Sequence, residues 1–112
     1  MFIALYEFTV KPDKTAEFKA AWYETTQGIY AELGSLGSRL HSTTQDNLFI
    51  GYAQWPSRAF REAIDGGLSP KYEAARHRMK ECLLASKTLH EMQVESDYLH
   101  SVPFGDVIGL KE

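Results

Sequence analysis

The chain has 112 residues, 44% of them apolar and 24% charged, which is enough for one domain with a buried core and too few for a second. Twelve Lys and Arg against 15 Asp and Glu leave a formal charge of −3, which argues against a nucleic-acid partner held by counterion release. The one cysteine, Cys82, has no partner for an internal disulfide, so a reducing, cytoplasmic location is expected.

Residues 2–10 place Phe2, Ala4, Tyr6, Phe8 and Val10 on one side of a strand and Ile3, Leu5, Glu7 and Thr9 on the other. Glu7 interrupts the apolar run and no basic segment leads it, so it reads as a strand and not as a leader peptide or membrane span; no membrane partner is expected. Lys11-Pro12-Asp13 breaks the strand, and Asp13 is the expected N-cap of a helix reaching about Leu33. Phe18, Trp22, Ile29 and Leu33 form its buried stripe. Gly34 and Gly37 end it, and a polar strand over 38–44, carrying Arg39 and His41, suits a sheet edge.

Gln45-Asp46-Asn47 has the composition of a hairpin connection to a third strand, 49–55. There Phe49, Gly51, Ala53 and Trp55 share one face, and Ile50, Tyr52 and Gln54 share the other. Pro56 ends the ladder and Ser57 stands at the N-cap of a short helix expected to bury Phe60, Ala63 and Ile64, with Asp65-Gly66-Gly67 as its stop. Ser69-Pro70 opens a further helix whose buried stripe is Tyr72, Ala75, Met79, Cys82 and Leu83. The alternation over Leu89–Tyr98 predicts a last strand with one wet face, and the tail from Val102 to Ile108 is apolar enough to dock.

The order β-α-β-β-α-α-β predicts an α+β, ferredoxin-like antiparallel sheet with helices on one face and the first and third strands in its centre. Helices shelter one face alone. The apolar groups expected on the other, Phe2, Tyr6 and Phe8 with Ile50 and Tyr52, then call for a second copy of the sheet, since burial is worth roughly 25 cal/mol for each Å². A homodimer through the sheet face is expected. Under the helices, the small Gly51 and Ala53 leave room beside Phe49 and Trp55 for a flat organic molecule, unless Trp22 or Phe60 fills the space.

An opening strand ending in Lys11-Pro12, a long first helix, the segment Gly37-Ser-Arg-Leu-His41 and above all Tyr52-Ala-Gln-Trp-Pro-Ser57 carry a likeness. On these residues the chain resembles the antibiotic biosynthesis monooxygenase (ABM) family of dimeric α/β barrels. The resemblance implies a pocket between sheet and helices, with Trp55 as a wall, used for cofactor-free oxidation of small aromatic quinols or anthrones by O₂. It equally implies relatives that degrade haem or isomerise lactones. The haem-degrading branch has an asparagine on the first strand, and no amide stands near Leu5; its helix histidine has only His77 as a counterpart, turned away from Tyr72 on a helical wheel. Quinol-oxidising relatives carry histidines where Ile64 and Gly66-Gly67-Leu68 stand.

Cofactor-free oxygenation needs an electron-rich anion in a dry cavity, and a cation or base eases its formation. Arg39 and His41, two apart on one strand, are the catalytic pair nominated for this; a solvated edge or a dimer seam is the alternative. Trp55, Phe49, Tyr72, Glu7 and Trp22 are the candidate substrate contacts, each with a plain packing or ion-pair role as its alternative. No metal-ligand spacing, phosphate loop or nucleophile elbow is present, and no cofactor is expected. A non-catalytic dimer that binds a small hydrophobic ligand is the competing function, and the segment Asn47-Leu-Phe-Ile-Gly-Tyr52 lacks the basic lead of an RNA-recognition strand.

Overall fold

The apolar strand β1, Phe2–Val10, needs a partner on each edge to satisfy its backbone, and it has both. A computed structural model describes residues 1–63 and 67–99. With β2 at Gly37–Ser42, β3 at Leu48–Trp55 and β4 at Leu83–Gln93, the strands form one antiparallel sheet in the order β2-β3-β1-β4. Helices α1 (Thr15–Leu33), α2 (Arg58–Glu62) and α3 (Pro70–Glu81) complete the expected ferredoxin-like α+β order.

The register between β1 and β3 decides which side chains meet the helices. Phe2 stands opposite Trp55, Ala4 opposite Ala53, Tyr6 opposite Gly51 and Phe8 opposite Phe49. Directly opposed residues share a face. All eight therefore lie on the helix side, where Phe18 of α1 meets the Phe8 and Phe49 rings at centroid distances of 5.3 and 5.7 Å. This corrects the expectation that Phe2, Tyr6 and Phe8 look outward with Ile50 and Tyr52. The outer face instead carries Ile3, Leu5, Glu7 and Thr9 beside Leu48, Ile50, Tyr52 and Gln54.

Two clusters make the core. Phe8, Val10, Phe18, Phe49 and Cys82 form one; Phe2, Ala53 and Trp55 form the other; Tyr6 packs against both. Helices α1 and α3 approach closely at Gly28, where a Cβ would lie 2.7 Å from the Tyr72 Cβ and closer still to its ring. Tyr72 is thus held at a helix crossing. The Thr25 hydroxyl, buried on the same helix, donates to the Ala21 carbonyl at 2.7 Å.

Other local expectations shift by a few residues, for identifiable reasons. Asp13 adopts a left-handed φ of 68° and belongs to the turn, leaving Lys14 at the N-cap without a side-chain bond. Helix α3 stops at Glu81, Cys82 is its C-cap, and Leu83 begins β4 instead of closing the helical stripe. The last strand therefore starts six residues before Leu89 and ends at Gln93, short of Tyr98. Its alternation breaks at a register shift between the partners of Leu5 and Tyr6, which hides the period of two in the sequence. In α2, Phe60 is 47% exposed and Ala63 is also exposed, so this helix buries neither of them, while Ile64 lies outside the described residues. The apolar tail from Val102 also lies outside them. Gly34, at φ 79°, ends α1 as expected, and Asn47, at φ 65°, turns the hairpin. No described helix is long and apolar enough to cross a membrane.

Candidate active site

Small residues in the middle of β3 open a space that the neighbouring strand only partly closes. The Phe8 ring leans over Gly51, so near that a Cβ there would lie 2.9 Å from its Cε2. What remains is a cavity of about 230 Å³ between sheet and helices. Tyr6 and Phe8 of β1 and Gly51, Ala53 and Trp55 of β3 line it from the sheet. Trp22, Thr25, Thr26 and Ile29 of α1, Arg61 of α2, and Arg76 and Met79 of α3 line it from the helices, with Ser38 of β2 at the side. A second groove of about 270 Å³ adjoins it, sharing Trp22, Thr26 and Ser38 and continuing to Tyr23 and Tyr30.

The polar groups of the cavity are few and arranged. Arg61 Nε donates to the Tyr6 hydroxyl oxygen at 2.9 Å, and its guanidinium lies 5.7 Å from the centre of that ring. Burial pushes the Tyr6 phenol above its ordinary value, outweighing the Arg61 charge and hydrogen bond that pull it down; Glu91 adds a further upward push. The hydroxyl therefore keeps its proton at neutral pH. Glu91 itself is bridged to Arg58 at 3.6 Å, and Arg58 covers the Phe2 ring. Arg76 reaches Glu73 at 3.1 Å. The Trp55 indole N–H is buried and has no hydrogen-bond partner among the described residues.

A larger groove of about 580 Å³ lies between α1 and the end of α3. Six of its nine described lining residues are charged, and Lys14 pairs there with Glu17 at 3.4 Å and Arg78 with Glu24 at 2.8 Å; no described aromatic side chain lines it. The aromatic lining is found in the smaller cavity. Among the described residues, no group of three or more His, Cys, Asp and Glu is placed to hold a metal ion.

Of the residues nominated from sequence, Trp22 and Trp55 come together in the cavity. Arg39 and His41 do not. They pair with Tyr52 and Ile50 and so occupy the outer face, both exposed, with His41 Nδ1 3.3 Å from the Ile50 carbonyl. Phe49 is core beneath Phe18, with Lys19 over its ring at 5.5 Å. Tyr72 packs on Gly28 and does not reach the cavity wall. Glu7 lies on the outer face, 3.6 Å from the Lys87 ammonium. Sequence reasoning missed Tyr6, Arg61 and Arg76 as cavity groups. Tyr6 stood out only as an aromatic on an apolar strand face.

Fold and cavity together define a class: a ferredoxin-like domain with an aromatic-walled chamber between its sheet and helices. Residues 1–66 match the antibiotic biosynthesis monooxygenase family, and the chain belongs to it. Among solved structures it is similar to SnoaB, a cofactor-independent oxygenase from Streptomyces nogalater, at 20% identity and a TM-score of 0.68 over 88% of this chain and 97% of that one. A protein from Nitrosomonas europaea that bears the family's name aligns with a TM-score of 0.70 at 19% identity, over 86% of this chain and all of that one. Rv0793 from Mycobacterium tuberculosis aligns with a TM-score of 0.63 at 20% identity, over 85% and 98% of the two chains. No curated protein matches in sequence.

Proposed function

We propose that this chain is a cofactor-independent monooxygenase that uses O₂ on a small aromatic quinol or anthrone-like substrate, held between Trp22 and Trp55 in the cavity. The observation that carries this reading is an apolar, aromatic-walled chamber whose polar groups are confined to the Tyr6–Arg61 pair, Arg76 and a few hydroxyls. Family membership and the likeness to an oxygenase from Streptomyces nogalater support it. In such a reaction a substrate carbanion or phenolate gives an electron to O₂, and the resulting radical pair joins through a new carbon–oxygen bond. Loss of water then leaves a carbonyl. For a methylene the balance is CH₂ plus O₂ giving C=O plus H₂O, with both reducing electrons supplied by the substrate.

The protein's part is positioning, exclusion of water and stabilisation of the anion. A homodimer through the outer sheet face belongs to the same proposal, and it gives Arg39 and His41 a role at the seam between copies. One observation favours a second reading, a ligand-binding protein without turnover: among the described residues, no carboxylate or imidazole lines the cavity to take the substrate's proton.

Oxygen uptake with a panel of quinols and anthrones separates the two. The oxygenase reading expects uptake above the spontaneous rate, falling at least tenfold in Trp55→Phe and unchanged in His41→Ala. Saturable binding with no uptake from any substrate establishes the binding protein instead.

A further inference from the structure

The charges in the cavity say more about the ligand than its shape does, provided that the cavity is the substrate site of the proposed oxygenase. Two guanidinium groups, Arg61 and Arg76, border a space otherwise lined by aromatic, aliphatic and hydroxyl side chains, and no described lining residue is acidic. Arg76 is partly matched by Glu73, whereas no described carboxylate lies within ion-pair distance of Arg61. Arg61 spends Nε on the Tyr6 oxygen. Because that oxygen accepts from Arg61, the Tyr6 proton is left to be donated elsewhere, and among the described residues it has no acceptor. A half-buried cation beside an unspent hydroxyl donor recognises a negatively charged oxygen.

We infer that the cavity selects aromatic anions: the flat body lies against Trp22 and Trp55, and an oxyanion on the ring system takes the hydroxyl of Tyr6 and the free nitrogens of Arg61. The substrate class is thus an acidic phenol or enol, for which an aromatic carboxylate is an unreactive stand-in, and not a neutral hydrocarbon or an amine. This also accounts for a chamber with cations but no described base. A substrate already ionised in water, or one whose acidity the guanidinium raises, needs no internal proton acceptor. Arg61 and Tyr6 then hold the oxyanion conjugated with the reacting carbon, and the nearby Glu91 is kept from opposing the anion by Arg58, 3.6 Å away.

Three probes of one size decide it: naphthoate, naphthylmethanol and naphthylmethylamine, titrated into the purified chain and followed by tryptophan quenching and calorimetry. The inference expects naphthoate to bind about tenfold or more tightly than the alcohol, with the amine weakest. Arg61→Gln and Tyr6→Phe should each cost naphthoate about fivefold or more beyond what they cost the alcohol, and Arg61→Lys should keep part of the preference. Circular dichroism of each variant, together with retained alcohol binding, excludes misfolding as the cause. Equal affinity for all three probes overturns anion selection and leaves the aromatic cavity standing. Binding of none overturns the functional reading as well.

Discussion

Tyr6 and Arg61 illustrate how a site forms from residues that carry no local signal. They are 55 positions apart, yet a nitrogen-to-oxygen distance of 2.9 Å joins them because β1 and the last turn of α2 both reach the cavity that Gly51 and Ala53 line. Tyr6→Phe removes a hydrogen bond to a half-buried cation, and a loss of about 1–2 kcal/mol in unfolding free energy is expected from urea titration. Burial raises the Tyr6 pKa, so its donor is fully present below the ordinary phenol range and is lost only as pH rises through the higher folded value. Affinity for naphthoate should accordingly hold through neutral and mildly alkaline pH and fall beyond it in the native chain. At Gly51 the constraint is space: the Cβ of Gly51→Ala would meet the Phe8 ring edge at 2.9 Å. Chemical denaturation should show a destabilisation of about 1–3 kcal/mol, with ligand affinity lowered as the ring swings into the cavity. Trp22 and Trp55 were legible as cavity candidates because each sits on an apolar face. Arg39 and His41 were correctly paired on one face, but a period of two does not say which face, and only the β2–β3 register puts them outside.

At the scale of elements, the strands and helices that a strong period or a clear breaker marks are the ones the sequence foretold. Strand β3 with its stop at Pro56, the Gly34 end of α1 and the Ser69-Pro70 start of α3 all stand where expected. Strand β4 was misplaced, since its bulge and its largely exposed residues erase the alternation a sequence can display. The start of α3 is tied to α1 by Glu32, which accepts from the Ser69 backbone N–H at 2.8 Å and from its hydroxyl at 2.7 Å. The Ser69 hydroxyl and N–H together hold the Glu32 carboxyl below its ordinary range. A depressed pKa contributes stability that is present above the unfolded value and is lost as pH falls through the folded one. Thermal unfolding of Glu32→Gln should therefore match wild type more closely in acid than at neutral pH. Farther along the same interface, Gly28→Ala would drive a Cβ into the Tyr72 side chain. A loss of about 1–3 kcal/mol is expected, recovered in part by the double variant Gly28→Ala, Tyr72→Ala.

For the whole molecule, the outer sheet face is the feature that asks for a partner. Its centre is Leu5, Ile50 and Tyr52, half-buried, with Arg39 and His41 on one flank and Lys87 and His90 on the other. Val94 and residues 96–99 share a concavity with Ile3, Tyr52 and Gln54, and the Val94 N–H donates to the Met1 carbonyl at 2.9 Å, so the chain's own described end shelters one part of this face. A dimer is expected in sedimentation equilibrium at micromolar concentration, and Ile50→Arg should return it to a monomer that remains folded. A monomeric wild type would remove the dimer and the seam role of Arg39 and His41. The chemistry proposed for the cavity is a separate claim. Its most direct test is turnover of an acidic anthrone under isotopically heavy O₂ by chelator-treated protein with no added cofactor. One heavy oxygen atom should enter the product carbonyl and the other should leave in water, at a rate that collapses in Trp55→Phe. Product that forms no faster than without protein, from substrates that nevertheless bind saturably, would contradict an oxygenase and leave a binding protein.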